Sequence, residues 1–323
     1  PRLGELQPRL GQPCITGGGG GAGSNSRLLA RPLVRQDNAK NLGGLLTRSP
    51  GAPQGFLAPR KVVQRRRNDS AKGLYAIPAD FAPHAGAAIE YNLSCNAFTA
   101  IPDVLLTSTT LESLDISANR IPALPPLVNP AGEYIAFTAL ATLRLSLNRL
   151  KSVPPELFGL PQLQEIALHH CGLDAVAFPP PEALADSCLR AIDLDANSLA
   201  ALPSVAAFSR LYSLKVANNR LTSLPPLDAQ RRLVEVSAAG NQITQFPLLP
   251  ASLTSLDLSD NAIAEVAEAP QFAADAPALQ QLTTLRLQRN RIEVLPPRFF
   301  AKMPRLAMAD LSGNALRAVP RLA

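Results

Sequence analysis

The chain has 323 residues, of which 46% are hydrophobic, 17% charged and 5% aromatic, with 31 prolines and no tryptophan. This composition can bury a large core, but so many prolines argue against long uninterrupted helices or central sheet strands. The net charge is +6, and no apolar run reaches about 18 residues, the length that a transmembrane helix needs.

Residues 1–73 carry most of the positive charge, with 13 Lys or Arg against 3 Asp or Glu. They show no sustained hydrophobic period and contain the low-complexity runs "GGGGGAGS" and "SPGAPQG". Such a segment buries too little apolar surface to offset its ordering entropy, so we expect a disordered basic low-complexity tail. Contact with nucleic acid or acidic membrane through residues 27–72 is an alternative, and a solvated linker is the preferred interpretation.

Two features bear on the compartment. The four cysteines, Cys14, Cys95, Cys171 and Cys188, are scattered, which favours reduced thiols and a cytoplasmic protein. The Arg-rich stretch 26–48 is an alternative mitochondrial transit segment, although Pro32 interrupts the helix that it needs. The chain begins with Pro, not Met, and ends without a polar capping helix, so we expect either a fragment or a further segment that covers the C-terminal end.

From Leu74 onward the chain repeats the pattern L-x-x-L-x-L-x-x-N-x-L, as in "LTTLRLQRNRI" ending at Ile292. Ten copies fit this frame, with successive Asn positions 20 to 29 residues apart. A Pro follows most copies, as in "IPALP", "LTSLP" and "IEVLP". The Asn position is occupied in chain order by Asn96, Asn119, Asn148, Cys171, Asn197, Asn219, Asn241, Asn261, Asn290 and Asn314.

These copies resemble the leucine-rich repeat family, and the "LxxLP" half-repeats are most similar to its intracellular Ras-group type. The resemblance implies an α/β repeat solenoid over residues 74–323, a horseshoe with a parallel concave sheet and an irregular or short helical convex side. Within it, residues 73–81 resemble half of a degenerate N-terminal copy that acts as a cap, and a C-terminal cap is missing. The first, fourth, seventh and tenth copies depart from the pattern, most clearly where Cys171 replaces Asn.

Each copy alternates with period two through its middle, so Leu285 and Leu287 point one way and Arg286 the other. We expect neighbouring copies to stack as parallel strands, with Leu114, Leu143, Leu214, Leu256 and Leu285 in one continuous core. The Asn amide both donates and accepts, and it can satisfy backbone groups that the turn leaves unpaired. Stacked copies would therefore form an Asn ladder, in which Cys171 acts as a structural, unreactive thiol.

The outward strand positions form a polar surface of mixed sign that lacks the aromatic anchors of tight interfaces. We predict that a protein partner of moderate affinity binds there. The predicted contact residues are Asp115, Arg144, His169, Asp193, Asp195, Lys215, Asp257, Arg286 and Arg289.

Two clusters on this surface have alternative interpretations. His169, His170, Asp193 and Asp195 are types that bind Zn²⁺, and neighbouring strands would place His169 beside Asp195. Adjacent strand residues point to different sides, so ion pairing without a metal is preferred. Arg286, Arg289 and Arg291, with Arg298 and Arg305, could receive an acidic partner or phosphate, and a solvated face is the simpler explanation.

No nucleophile elbow, metalloprotease motif, phosphate-binding loop or dinucleotide fingerprint is present, so we expect a protein that is not an enzyme and has no cofactor or small-molecule substrate. The resemblance implies an intracellular scaffold or signalling regulator. The alternative is a substrate-targeting region of a larger enzyme, such as an effector ubiquitin ligase.

Overall fold

A computed structural model describes residues 65–266, 272 and 278–318. These residues belong to a compact unit, Val63–Ala323, whose core is one parallel sheet of eleven strands in strict chain order. The strands are β1 Arg66–Asn68, β2 Glu90–Asn92, β3 Ser113–Asp115, β4 Thr142–Arg144, β5 Glu165–Ala167, β6 Ala191–Asp193, β7 Ser213–Lys215, β8 Glu235–Ser237, β9 Ser255–Asp257, β10 Thr284–Arg286 and β11 Met308–Asp310. The predicted repeat solenoid with a parallel sheet is confirmed.

The middle residue of each strand from β2 to β10 is buried in the core, and the register aligns these residues across the sheet. Leu114 pairs with Leu143, and Leu256 pairs with Leu285, all with no exposed surface. One cluster of buried residues contains the five leucines expected to share a core. Because no copy encloses an interior of its own, each one is stabilised by its neighbours.

The return path from each strand to the next contains little regular structure. The single α-helix among the described residues, α1, spans only Asp103–Leu106, and short 3₁₀ helices cover Ala82–Ala87, Pro155–Gly159, Pro181–Leu184 and Phe300–Lys302. Proline explains this, because it begins a helical turn readily but cannot donate within it.

The longer connections differ from one another. The connection at 177–188 contains a 3₁₀ helix, whereas that at 128–139 contains an antiparallel bridge between Val128 and Tyr134. Most of the third long connection, 268–281, lies outside the described residues.

Strand β1 lies inside the segment 1–73 that the sequence pattern assigned to the tail. Arg67 pairs in register with Tyr91, so an eleventh copy precedes the ten that the pattern identifies. The pattern misses this copy because Arg67 and Asp69 occupy its inward positions and Lys72 stands where nine of the other ten copies have Asn. The prediction for residues 1–64 lies outside the described residues.

Charged groups fill the interior of this first copy. Asp69 is buried and receives hydrogen bonds from Arg67 Nε at 2.6 Å, Lys72 Nζ at 2.6 Å and the Tyr91 hydroxyl at 2.8 Å. Arg67 also pairs with Asp80 at 3.1 Å and lies 4.5 Å from the centre of the Phe81 ring. The first copy therefore covers the N-terminal end of the apolar core with charged groups that are paired and hydrogen-bonded. Residues 73–81 form the return path of this copy.

The Asn ladder runs through the stacked turns. Asn219 is representative: its Nδ2 donates to the carbonyls of Leu194, Val216 and Ala217, and its Oδ1 accepts from the Leu199 amide at 3.0 Å. Equivalent bonds, from the amide nitrogen and to the amide oxygen, join the backbone of the preceding copy to Asn96, Asn119, Asn197, Asn241, Asn261 and Asn290. Asn148 and Asn314 do the same.

Cys171 imitates the donor half of an Asn. Its buried thiol donates to the Leu145 carbonyl at 3.4 Å and lies 3.7 Å from the His169 carbonyl oxygen. Burial raises the pKa of this thiol to about 11, which keeps it protonated and unreactive. Sulfur supplies no acceptor comparable to the amide oxygen, and no hydrogen bond to the Leu150 amide is found among the described residues.

The residue before each ladder position adopts a left-handed backbone conformation in all eleven copies. Examples are Ala118 at φ 53°, Leu147 at φ 58° and Gly240 at φ 66°. This conformation turns the chain sharply out of the strand, and it strains every residue except Gly. Nothing in the repeat pattern marks it, because most of these residues are not Gly.

Candidate functional site: the concave sheet surface

The strand residues on either side of the inward position form the concave surface. We call the third residue of each strand the central row, and the residue two positions later the outer row. The central row contains Asn68, Asn92, Asp115, Arg144, Ala167, Asp193, Lys215, Ser237, Asp257, Arg286 and Asp310. Six of the nine predicted contact residues lie in this row, and His169 and Asp195 lie in the outer row. Arg289 lies one residue farther, in the left-handed position.

The acidic members of the central row have a structural role that the sequence analysis missed. The side-chain oxygen of Asp115, Asp193, Asp257 and Asp310 accepts a hydrogen bond at 3.0 Å from the backbone amide two residues later. Asn68 and Asn92 do the same. This local Asx bond fixes the chain where it leaves the strand. One oxygen of each carboxylate therefore accepts a backbone hydrogen bond. The sequence signal for this role was the recurrence of Asp or Asn at the third residue of the strands.

His169 stands near the middle of the surface, between a hydroxyl and a carboxylate. Its Nδ1 lies 2.9 Å from Ser146 Oγ and 3.2 Å from Asp193 Oδ2. The hydrogen bond to Asp193 raises the pKa of His169. Partial burial has the opposite effect, but the pKa is raised overall. Burial alone would raise the pKa of Asp193, but bonds from His169 and from the Asp195 backbone lower it overall. Each residue therefore stabilises the charged form of the other, the imidazolium of His169 and the carboxylate of Asp193.

Asp195 is not the partner of His169, contrary to the sequence expectation. Asp195 Oδ1 accepts from the Ala217 amide at 2.6 Å, so its carboxylate turns toward the next copy along the sheet. Burial raises the pKa of Asp195 to about 6, and the nearby charge of Asp193 adds to this effect. Among the described residues, no group of three or more His, Cys, Asp or Glu side chains is arranged to hold a metal ion.

The arginines of the ninth predicted copy are largely neutralised by the copy before them. Arg286 Nη1 lies 3.5 Å from Asp257, and Arg289 forms a two-point ion pair with Asp260, whose second bond is 2.6 Å long. Arg305 instead donates to the Gln281 side chain at 2.6 Å. The two strand-side arginines of the predicted basic cluster, Arg286 and Arg289, are therefore paired, whereas Arg291 and Arg298 form no ion pair among the described residues.

A shallow depression crosses the centre of the surface, from β4 to β7. Its floor contains the small side chains of Ala167 and Ala191, and Arg144 and Lys215 stand at its two ends. Arg144 is held only loosely, with 3.8 Å to Glu165, and Lys215 forms no ion pair among the described residues. Arg286, the third cation of the central row, lies closer to a carboxylate, so Arg144 and Lys215 are the more available cations of this row.

Models of leucine rich repeats match the chain at residues 280–322 and 250–264. Comparison with curated protein sequences found no match. Solved structures of similar fold include a leucine-rich repeat protein of Leptospira interrogans, with 22% identity over 80% of this chain and 74% of that one, at a TM-score of 0.56.

The leucine-rich effector protein YopM of Yersinia pestis is 24% identical over 78% of this chain and 69% of its own, with a TM-score of 0.56. A chain of the Drosophila Toll–Spätzle complex is 23% identical over 76% of this chain, with a TM-score of 0.57, and this chain spans only 34% of its length. The matched models and the shared fold support the leucine-rich repeat family. In the part of the chain that the structure describes, no helix has the length and apolar character needed to cross a membrane.

Proposed function

We propose that the repeat unit is a non-enzymatic module that binds a protein partner on its concave surface. The observation that carries this proposal is the depression between Arg144 and Lys215, where two cations stand over a floor of small side chains. A partner can approach the sheet closely there. Glu165 and Asp193 line the same depression, but Glu165 lies 3.8 Å from Arg144 and Asp193 pairs with His169, so both cations are held only loosely.

The surrounding charges support a complementary partner of mixed sign. His169 pairs with Asp193, which lines the depression, and only one oxygen of Asp115 accepts a hydrogen bond from the described residues. The Asx bonds hold the acidic groups in place before binding, which lowers the entropy that a partner must remove. Because no aromatic side chain occupies the central row, we expect moderate affinity governed by charge.

We further propose an intracellular scaffold or signalling regulator of the Ras-group type, acting in the cytoplasm. Its support is the repeated "LxxLP" half-repeat and the thiols of Cys171 and Cys188, which form no disulfide among the described residues. Such thiols are typical of a reducing compartment.

The experiment is affinity capture with the full chain, followed by quantitative mass spectrometry. The concave variant is Arg144→Glu/Lys215→Glu, which leaves every Asx bond intact. The matched control is Arg120→Glu/Arg149→Glu, which makes the same charge change at exposed residues outside the strands. Partners lost by the concave variant alone support the proposal, and equal recovery with both variants contradicts it.

Neutral substitutions of the acidic residues in the central row distinguish a contact with the partner from a role in the Asx bond. Asp193→Asn and Asp257→Asn remove a negative charge but keep an oxygen that accepts the Asx bond. If they weaken capture without lowering thermal stability, the carboxylates contact the partner. If capture is unchanged by these variants and by the cation variant, the binding surface lies elsewhere.

A further inference from the structure

Outside the concave surface, unpaired arginines gather at the edge where the return path enters strands β6 to β8. We call Arg190, Arg210, Tyr212, Arg231 and Arg232 the arginine edge. All five side chains are exposed, and Tyr212 is an exposed aromatic, with 44% of its surface accessible.

The repeat geometry brings these residues together from three copies. The Tyr212 amide donates to the Arg190 carbonyl at 2.7 Å, and the Val234 amide donates to the Tyr212 carbonyl at 2.9 Å. Arg210 and Arg232 precede Tyr212 and Val234 by two residues each, so they hold equivalent positions in successive copies. Adjacent strands lie about 4.8 Å apart, which makes the edge a short, dense row of positive charge.

None of these four arginines forms an ion pair among the described residues, although Asp186 and Asp228 lie nearby in the chain. Arg210 donates only to Cys188 Sγ, at 3.2 Å. The contrast with Arg286 and Arg289 is clear, because those arginines are paired with aspartates of the preceding copy. Four uncompensated cations beside an exposed aromatic are a feature of a contact surface, since Arg and Tyr dominate binding energy at protein interfaces.

We propose that the arginine edge binds an acidic segment of a protein partner, with Tyr212 and the half-buried Val234 receiving an apolar side chain of that segment. Guanidinium groups bind carboxylates in two-point geometry, and four of them lie within one short row.

Single-stranded nucleic acid fits this edge less well. A bound strand stacks successive bases on successive aromatic side chains, and Tyr212 is the one aromatic in the row. Asp186, Asp228 and Glu235 lie within four residues of these arginines in the chain, so the positive charge is confined to a short row and does not extend as a track for a phosphate backbone. A short acidic segment needs complementarity only over the row itself.

The test uses the full chain and a peptide of about twelve residues, glutamates around one central photoreactive benzoyl-phenylalanine. After illumination, peptide mapping gives the yield of adducts on the arginine edge separately from adducts on the basic residues 1–73. The test variants are Arg190→Ala/Arg210→Ala/Arg232→Ala and Tyr212→Ala. The matched control is Arg120→Ala/Arg149→Ala/Arg220→Ala, which removes three exposed arginines that also form no ion pair with any residue that the structure describes.

We expect adducts on the segment that contains Tyr212, reduced about tenfold in the triple variant, since each exposed charge pair contributes up to about fivefold. Tyr212→Ala should lower the yield about threefold, and the control should change it less than about twofold. The concave variant Arg144→Glu/Lys215→Glu should leave this yield unchanged, which separates this proposal from the one above.

Several results would overturn the proposal. Adducts absent from the edge, or an equal loss in the triple variant and its control, would show only general attraction to a basic chain. Equal adducts from a peptide with glutamine in place of glutamate would exclude charge recognition. Tighter binding of an oligothymidylate of equal length at the same salt would assign the edge to nucleic acid.

Discussion

The Tyr91 hydroxyl donates a 2.8 Å hydrogen bond to the buried carboxylate of Asp69, and this bond joins the first two copies of the solenoid. Burial and this carboxylate raise the pKa of Tyr91 well above its usual range, so the phenol remains a donor. Burial opposes ionisation of Asp69, but bonds from Lys72, Arg67 and Tyr91 lower its pKa overall. Its stabilising contribution is therefore complete above the ordinary Asp pKa and is lost as pH falls through the lowered value.

We predict that Tyr91→Phe destabilises the first copy by about 1–2 kcal/mol, because a hydrogen bond to a buried charge is lost. The loss should be local, since end copies of a repeat array open independently. Hydrogen exchange should accelerate at the amides of Ile89 and Glu90, which bond to the Arg65 carbonyl. Tyr75→Phe is the control, because Tyr75 is 85% exposed. Equal effects of the two variants would contradict a role for the Asp69 bond.

Restoring the ladder at its one substituted position should stabilise the chain. Cys171→Asn supplies an amide oxygen to the Leu150 amide and keeps a donor for the Leu145 carbonyl, so we expect a gain of about 1 kcal/mol. Cys171→Ala should instead lose about 1–3 kcal/mol by removing the donor. Urea unfolding measures both. A loss of stability in Cys171→Asn would mean that the turn is shaped around sulfur.

We predict that Asp195 and His169, at the centre of the concave surface, make the free energy of unfolding decrease as pH rises from 4 to 7.5. Asp195 has its pKa raised to about 6 from an ordinary value of 3.8, so its contribution falls between those values. The raised pKa of His169 makes its contribution fall through a window above its ordinary value of 6.5. The lowered pKa of Asp193 has its effect only below 3.8.

Thermal unfolding across this pH range checks the prediction. Asp195→Asn should flatten the lower half of the profile, by about 2–4 °C relative to the parent chain. His169→Gln should flatten the upper part and leave the decrease in the lower part, because Asp195 keeps its burial and its neighbour Asp193. Parallel profiles for all three proteins would show that neither group has a shifted pKa.

Alanine substitutions at two glycines distinguish the cost of backbone strain from the cost of steric overlap. Gly240 has φ 66° and Gly172 has φ 72°, so both have a left-handed backbone. A Cβ added at Gly240 would lie 2.6 Å from Asn218 Oδ1, whereas a Cβ added at Gly172 would meet no atom within 4 Å. Gly172→Ala should therefore cost about 1 kcal/mol from strain alone. Gly240→Ala should cost about 1–2 kcal/mol more, since the neighbouring side chain must move. Equal losses in urea unfolding would show that Asn218 moves away freely.

The sequence by itself determined the repeat and its inward face. Leu114, Leu143, Leu214, Leu256 and Leu285 could be assigned to one core because period-two alternation leaves a short strand only one way to face inward. The Asn position could be assigned to the turn because an amide both donates and accepts. These inferences need only local pattern, repeated from copy to copy.

The tertiary structure alone decided which outward groups meet. His169 pairs with Asp193 and not Asp195, and Arg190 and Tyr212 become neighbours across 22 residues, because stacking register and side-chain direction set these contacts. It also revealed strand Arg66–Asn68, whose inward charges hide it from any hydrophobic pattern. Burying Arg67 and Asp69 is favourable only once Lys72, Asp80 and Tyr91 surround them, and such compensation exists only in the folded chain.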